Sequence, residues 1–310
     1  MMPTLFISDP SPLTFPVSRM RIGILADRNG WHVEVLAKAL ARRGCQADFL
    51  PITRLVARVP ADPLVAINGQ SLESYDALLI RTIPEGSLEQ IIFRMNALHR
   101  LEAAGVRIMN RPSPLEQTVD KYYTSSLLAS RGLPTPRTIV AEGFDEAMAA
   151  LCELGDVVVK PLFGAGGRGM VRVCDADVAY RVFRALALTR SIFYIQEFVP
   201  HGDYDLRGLV IGDRVVAAMR RRSDGWRHNV SQGAQPEPIV MDEEATRLCL
   251  EASRLLETDY AGIDLLKTDK GYTVVEVNSI PGWSGLQRTT EIDLAQEIAD
   301  HLVSLLERLC

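Results

Sequence analysis

The chain has 310 residues, enough for about two domains and for a core that needs neither disulfides nor a structural metal. Asp and Glu number 39 against 34 Lys and Arg, a net charge of −5, which excludes the basic surface of a general nucleic-acid binder. Hydrophobic residues at 47% and charged residues at 24% exclude a disordered or fibrous chain, and no apolar run approaches the roughly 20 residues of a membrane helix.

Residues 1–19 hold four prolines and no basic n-region, so they read as an extension rather than a signal peptide. Ile22 to Leu25 is a first strand, ending in the turn cluster Ala26-Asp27-Arg28-Asn29-Gly30. From Trp31 to Arg43, apolar residues recur at helical spacing, and Gly44 closes the helix. Ala47 to Pro51 is a second strand and Tyr75 to Arg81 a third. A helix from Ser87 to Ala104 leads to a fourth strand, Val106 to Asn110. Strands alternating with helices predict a Rossmann-like parallel sheet over 20–112, with ligands beyond the carboxyl ends of its strands, where Asn29 and Arg81 lie.

Arg111-Pro112-Ser113-Pro114 reads as a linker, since each proline biases its predecessor away from helix. A helix from Leu115 to Arg131 follows. The rest is α+β, with short strands, hairpins and helices near 144–154, 177–186, 242–257 and 291–309. We divide it into a central unit, 113–198, and a C-terminal unit, 199–310. Cys45, Cys152, Cys174, Cys249 and Cys310 are odd in number, widely spaced and free of Cys-x-x-Cys. They read as reduced thiols of a cytoplasmic protein.

Lys160-Pro161-Leu162-Phe163-Gly164-Ala165-Gly166-Gly167-Arg168-Gly169 contains G-x-G-x-x-G. A dinucleotide fingerprint needs a helix after the glycines, but Met170-Val171-Arg172-Val173 is strand-like. Kinase and Walker A partners are missing too. The stretch is a glycine-rich hairpin: either a flexible surface turn or a backbone cradle for phosphate, with Lys160 supplying charge.

The hairpin from Ala261 to Asn278 carries a second constellation. Glu276 and Asn278 share a strand face. With the turn centred on Lys270, Thr268 pairs with Tyr272 and Asp264 lies opposite Glu276; a bulge would slip this register by one. Two adjacent carboxylates repel unless a cation sits between them or one of them is paired elsewhere. Oxygen ligation with an open face suits Mg²⁺ bridging to phosphates. Arg220-Arg221-Arg222 is a solvated charge run in most proteins, but strand alternation puts Arg220 and Arg222 on one face and Arg221 on the other, so at least one can enter a cleft. The histidines, His32, His99, His201, His228 and His301, fall in no metal-ligand spacing.

Asp120-Lys121, Val159-Lys160-Pro161 with its glycine loop, Gln196-Glu197-Phe198-Val199, Asp205-Leu206-Arg207, Ala217 to Arg222, and Gly262-Ile263-Asp264 through Glu276-Val277-Asn278 together resemble the ATP-grasp superfamily, in particular its RimK-like carboxylate–amine ligases, from Met20 onward. The resemblance implies an ATP-grasp fold carrying an N-terminal Rossmann-like domain. It also implies an ATP-dependent ligase that adds glutamate or a related amino acid to a carboxylate-bearing acceptor, which would be a small molecule, a cofactor or a protein.

By the same resemblance, Lys121, Lys160 and the glycines Gly164, Gly166, Gly167 and Gly169 would contact ATP phosphates. Glu197, Phe198 and Val199, with Gln196 beside them, would read the adenine. Asp205 would lie near the ribose or the reacting centre. Arg207, Arg220, Arg227 and Asn229 would reach the transferred phosphate and the substrate carboxylate. Asp264, Glu276 and Asn278 would hold two Mg²⁺ ions, with Mn²⁺ as a substitute. No nucleic acid or membrane partner is implied, and a homo-oligomer is compatible with the sequence. A phosphotransferase on the same scaffold and a non-catalytic nucleotide-binding module remain as alternatives.

Overall fold

A computed structural model of the protein describes residues 19–308 apart from Ala61 and Ala165. Most of the expected N-terminal extension, and the ends of the chain at Leu309 and Cys310, lie outside the described residues. The first sheet contains β1 (Arg21–Ala26), β2 (Gln46–Pro51), β6 (Ala77–Ile80) and β7 (Arg107–Met109), all parallel, in the order β2-β1-β6-β7. A small antiparallel meander, β3 (Leu55–Ala57), β4 (Val65–Ile67) and β5 (Gln70–Ser71), lies between β2 and β6 in sequence. The helices of this part are α1 (Trp31–Arg42) and α2 (Leu88–Ala103). Ser87 caps α2 in a full capping box with Gln90, which satisfies two orphan N–H groups at its start. Gly44, at φ +75, ends α1 as expected.

The expected linker at 111–114 is instead the start of a helix. Helix α3 (Pro112–Val119) has Pro112 in its first position, where the missing N–H is not needed. The single helix expected over 115–131 is two, because Asp120 leaves helical geometry (ψ 101°) and caps α4 (Lys121–Ser130) by accepting from the Tyr123 N–H at 3.0 Å. That break sets Lys121 at a helix N-terminus.

The central sheet is antiparallel. It contains β8 (Thr138–Ala141), β9 (Val157–Lys160), β10 (Val171–Val173) and β11 (Phe193–Glu197) in the order β10-β9-β11-β8, with helices α5 (Phe144–Leu154) and α6 (Ala176–Leu188). Buried Val157, Val159, Phe183, Phe193 and Ile195 form its core. The C-terminal sheet contains β12 (Tyr204–Ile211), β13 (Arg214–Arg222), β14 (Gln235–Pro238), β15 (Tyr260–Thr268) and β16 (Gly271–Asn278) in the order β14-β13-β12-β15-β16. Helix α7 (Glu243–Leu255) packs on it, and α8 (Ser284–Gln287) and α9 (Leu294–Glu307) close the fold. Strand β14 was not among the expected strands, and it contains Pro236 and Pro238. It pairs on one side only, with β13, and an edge strand tolerates a missing donor.

The first sheet is stitched to the third by two side chains from its strand ends. Buried Asn110 accepts from the Asp259 N–H (2.5 Å) and the Tyr260 N–H (3.2 Å), and donates to the carbonyls of Tyr260 (2.7 Å) and Ser279 (2.6 Å). Arg81, also buried, donates to the Tyr260 hydroxyl at 2.8 Å and to the Pro281 carbonyl at 3.0 Å, with its guanidinium over the Trp283 ring. These contacts hold both ends of the β15–β16 hairpin against the parallel sheet. Among the described residues no helix is long and apolar enough to cross a membrane.

Candidate active site

A cleft enclosing about 860 Å³ out to its solvent mouth runs between the central and C-terminal sheets. Its walls include Lys121, Lys160, Gly164, Gly167, Gln196, Glu197, Phe198, Val199, Asp205, Arg227, Asn229, Asp264 and Glu276, so most of the residues expected from the sequence meet at one place. Gly166, Gly169, Asn278, Arg207 and Arg220 are not on its wall.

The lysines come from different elements. Lys160 ends β9, deep in the cleft, and donates to Gln196 Oε1 at 2.6 Å. Buried Gln196 passes the network on by donating to the hydroxyls of Tyr194 and Thr138, both at 3.0 Å. Desolvation lowers the Lys160 ammonium to about 8, against Glu276, which favours its proton, and with Lys121, which repels it. Lys121 opens α4 and donates to the Gly164 carbonyl at 2.7 Å; burial lowers its proton affinity as well. A lysine is charged below its pKa and neutral above it. Nucleotide affinity is therefore expected to fall as pH rises from about 7 to about 9, and a Lys160→Arg variant is expected to stay flat over that window. Calorimetric titration with ADP checks this; parallel pH profiles for the two proteins would remove Lys160 from the phosphate site.

The glycine loop arches over the cleft and rests on residues 229–232. The Ser231 hydroxyl donates to the Gly166 carbonyl at 3.0 Å. Gly167, at φ +71, passes so close to Asn229 that a Cβ there would lie 2.2 Å from its Oδ1. A side chain at that position would push the loop off Asn229. On the opposite wall, the Glu197 carboxylate accepts from the Arg137 N–H at 2.8 Å, and the Phe198 N–H donates to the Asp156 carbonyl at 2.8 Å. The Glu197 side chain thus serves the fold, and residues 197–199 border the cleft. His201 Nδ1 fixes the Val199 carbonyl at 2.6 Å.

The acidic hairpin departs from its expected register and then returns to it. Thr268 pairs with Gly271, one residue short of the expected Tyr272, because the turn is tighter. A bulge between Leu265 and Asp264 adds the residue back, so Asp264 lies opposite Glu276 as expected, and Gly262 lies opposite Asn278. Asp264 is buried and accepts a two-pronged contact from Arg207 (Nε to Oδ1 and Nη2 to Oδ2, both 2.6 Å). Arg221 adds Nη2 to Oδ2 at 3.0 Å. Arg221 also forks onto Asp205, at 2.7 and 2.5 Å. Burial pushes the Asp264 carboxyl up, and the two arginines outweigh it, leaving it below the usual carboxylate range. Burial raises Asp205 to about 6 against the pull of Arg221.

The fit to a divalent cation rests on the donor set. Asp264 and Glu276 face each other across the hairpin, and Asn278, two residues after Glu276 on the same strand, has an amide oxygen to offer beside them. No group of three or more His, Cys, Asp and Glu able to hold a metal occurs among the described residues. The chain thus offers two carboxylates and an amide, and leaves positions for phosphate and water oxygens, as Mg²⁺ sites with nucleotides do.

Arg220, expected in the site, points elsewhere. It pairs with Glu237 of the edge strand at 2.9 Å, and Arg222 contacts Glu237 and Asp203. The alternation held, but the inward face belongs to Arg221. Arg168 and Trp226 also line the cleft without having been singled out as site residues, and so does His228, which lies within the 227–229 stretch expected there. His228 Nε2 is buried without a partner among the described residues, and burial, His201 and Arg221 lower the ring to about 4. Its closeness to Arg227 and Asn229 in sequence was the available signal.

Two family matches tile most of the chain: the RimK PreATP-grasp domain over residues 20–115 and the RimK-like ATP-grasp domain over residues 118–302. The chain belongs to the RimK-like ATP-grasp family. It is an ATP-dependent ligase, and the fold class is the one expected. A tetrahydromethanopterin:alpha-L-glutamate ligase of Methanococcus maripaludis is 32% identical over 92% of this chain and 98% of its own length. A probable alpha-L-glutamate ligase of Vibrio cholerae is 30% identical over 91% of this chain and 95% of its own. Among solved structures, a RimK domain ATP-grasp protein of Sphaerobacter thermophilus superposes with a TM-score of 0.73 at 23% identity, covering 91% of this chain and 98% of its own. The ATP-grasp ligase PsnB, solved with a minimal precursor, Mg and ADP, gives 0.71 at 22% identity, covering 93% and 98%. At these identities the likeness shows the RimK-like ATP-grasp fold.

Proposed function

We propose that this RimK-like ligase activates a carboxylate of an acceptor with ATP and joins it to the amine of an amino acid, glutamate above all, in the cytoplasm. The observation that carries the reading is the opposition of Asp264 and Glu276 across the β15–β16 hairpin, on a cleft whose other wall holds Lys160 and Lys121. That arrangement suits a triphosphate, which bears about four negative charges at neutral pH. Its relatives named as alpha-L-glutamate ligases favour glutamate as the added residue, and the pterin in one relative's name favours a cofactor acceptor over a protein.

The carboxylate oxygen is a poor leaving group, so it must first be phosphorylated. In this reading Asp264, Glu276 and Asn278 hold Mg²⁺, up to two ions, which would draw charge from the phosphate oxygens when bound. Lys160 and Lys121 bind the phosphates. The glycine loop, seated on Asn229 and Ser231, keeps water from the acyl phosphate. Arg207 stabilises the transferred phosphoryl group. Arg227, exposed at the cleft wall beside Trp226, meets the acceptor carboxylate. The amine then attacks the acyl carbon, and phosphate leaves with one of the original carboxylate oxygens.

Oxygen-18 placed in the acceptor carboxylate is therefore expected in the released phosphate, one atom per turnover. Hydroxylamine in place of the amino acid is expected to yield a hydroxamate. Mass spectrometry of both products tests the reading. Label confined to the organic product would exclude the acyl phosphate and favour a phosphotransferase acting on a hydroxyl, and label in released AMP would mark an adenylate route.

A further inference from the structure

Asp264 does not offer a free carboxylate. Three N–H donors, two from Arg207 and one from Arg221, occupy its two oxygens at 2.6, 2.6 and 3.0 Å. A carboxylate has about four lone-pair positions, so little remains for a cation. The surrounding charge points the same way. Asp205, Asp264 and Glu276 carry three negative charges, and Arg207, Arg221, Lys121 and Lys160 carry four positive ones. A bare divalent cation would enter a site with a net positive charge, behind low-dielectric walls that strengthen the repulsion.

The two arginines are not equally free to leave. The Arg221 side chain is 2% exposed and is forked onto Asp205 as well as touching Asp264. Arg207 is 15% exposed, and its ion pair among the described residues is with Asp264. Withdrawing Arg207 leaves Asp264 still paired with Arg221. Withdrawing Arg221 would strand Asp205.

From this asymmetry we infer that Arg207 is an internal counter-cation that holds Asp264 until nucleotide is present, so that the divalent metal enters with the nucleotide and not before it. The inference rests on the reading of Asp264 and Glu276 as metal ligands. Once the metal takes Asp264, the guanidinium of Arg207 is released next to an incoming anion. Order of binding is thereby written into one side chain: the phosphates supply the negative charge that the site lacks.

The test is Mn²⁺ binding, followed by the electron paramagnetic resonance of free Mn²⁺ without nucleotide and by water-proton relaxation in the presence of ADP. The wild-type protein is expected to show no saturable site for Mn²⁺ alone at concentrations that saturate the ADP complex. Arg207→Gln is expected to create one, at least about tenfold tighter than any wild-type binding, because it frees Oδ1, leaves Oδ2 with Arg221 alone and removes one positive charge. Asp264→Asn in the Arg207→Gln background is expected to abolish it.

Wild-type protein that binds Mn²⁺ equally well with and without ADP would overturn the inference. So would Arg207→Gln binding no better than wild type while Asp264→Asn alone removes the relaxation enhancement of the ADP complex; in that case the metal site stands and the gate falls. If Asp264→Asn leaves that enhancement unchanged, the metal site itself is misplaced and the gate falls with it. Circular dichroism reports whether Arg207→Gln is folded. Should it not be, Arg207→Lys, which keeps the charge but cannot fork, is expected to bind Mn²⁺ alone at intermediate strength, and wild-type behaviour there would overturn the gate.

Discussion

Arg221→Ala is expected to lose about 3–5 kcal/mol of folding stability, the largest effect of any single change at the cleft. The Arg221 side chain is 2% exposed and is shared between Asp205 and Asp264, whose side chains are 10% and 3% exposed. Removing it strands the Asp205 carboxylate in the interior and leaves Asp264 with Arg207 alone. A buried charge without a partner costs far more than the pair contributes, because the desolvation penalty persists after the attraction has gone. The neighbouring Arg220→Ala breaks a partly exposed pair with Glu237 and is expected to cost less than about 1 kcal/mol. Urea unfolding of the two variants, analysed with a common slope, separates them. Equal midpoints would mean that Arg221 is not the keystone of this quartet.

Glu276→Gln is expected to do the opposite: little to stability and a great deal to turnover. Glu276 is half-buried and makes no ion pair within 4.0 Å among the described residues; its neighbours Lys160 and Lys121 act on it through space. Neutralising it removes no close contact, so the change in unfolding free energy should stay within about 0.5 kcal/mol. Turnover depends on charge placed in advance where the phosphoryl group passes. Losing one such group typically costs about a hundredfold to a thousandfold. Phosphate release at saturating ATP and increasing Mg²⁺ measures this, and a wild-type rate with wild-type Mg²⁺ dependence would place the metal elsewhere. A secondary effect has a definite sign. Glu276 helps Lys160 keep its proton, so the variant's nucleotide affinity should begin to fall at a lower pH than that of the wild type.

The parallel sheet, the glycine hairpin and the acid pair were legible because each depends on a local pattern. Apolar runs with helices between them specify parallel strands, and positive-φ glycines announce a backbone turn. Asp264 and Glu276 were paired correctly even though the turn was misread, because the bulge offset the tighter turn by one residue. What escaped notice depended on neighbours far away in sequence. Alternation separated Arg221 from Arg220 and Arg222, but the inward face was decided by Asp205 on β12 and Asp264 on β15, and the outward one by Glu237 on an edge strand that was not among those expected. Pro112 looked like a helix breaker, and its role as a helix starter depends on its place in the first turn. The strands at 55–71 are two or three residues long, too short for any periodicity to register.

The stitching of the β15–β16 hairpin by Asn110 and Arg81 bears on how such a ligase could be re-engineered. One route would be to exchange the N-terminal part of the chain for that of a relative and keep the cleft. The two parts share no clean seam. One asparagine from the end of β7 meets the backbone of Asp259, Tyr260 and Ser279, on either side of the acidic hairpin, and one arginine from the end of β6 braces Pro281 and Trp283 just beyond it. A graft that omitted either would leave buried amides and carbonyls open at the base of the cleft, and a chimera built on this chain therefore has to carry those two side chains across the junction.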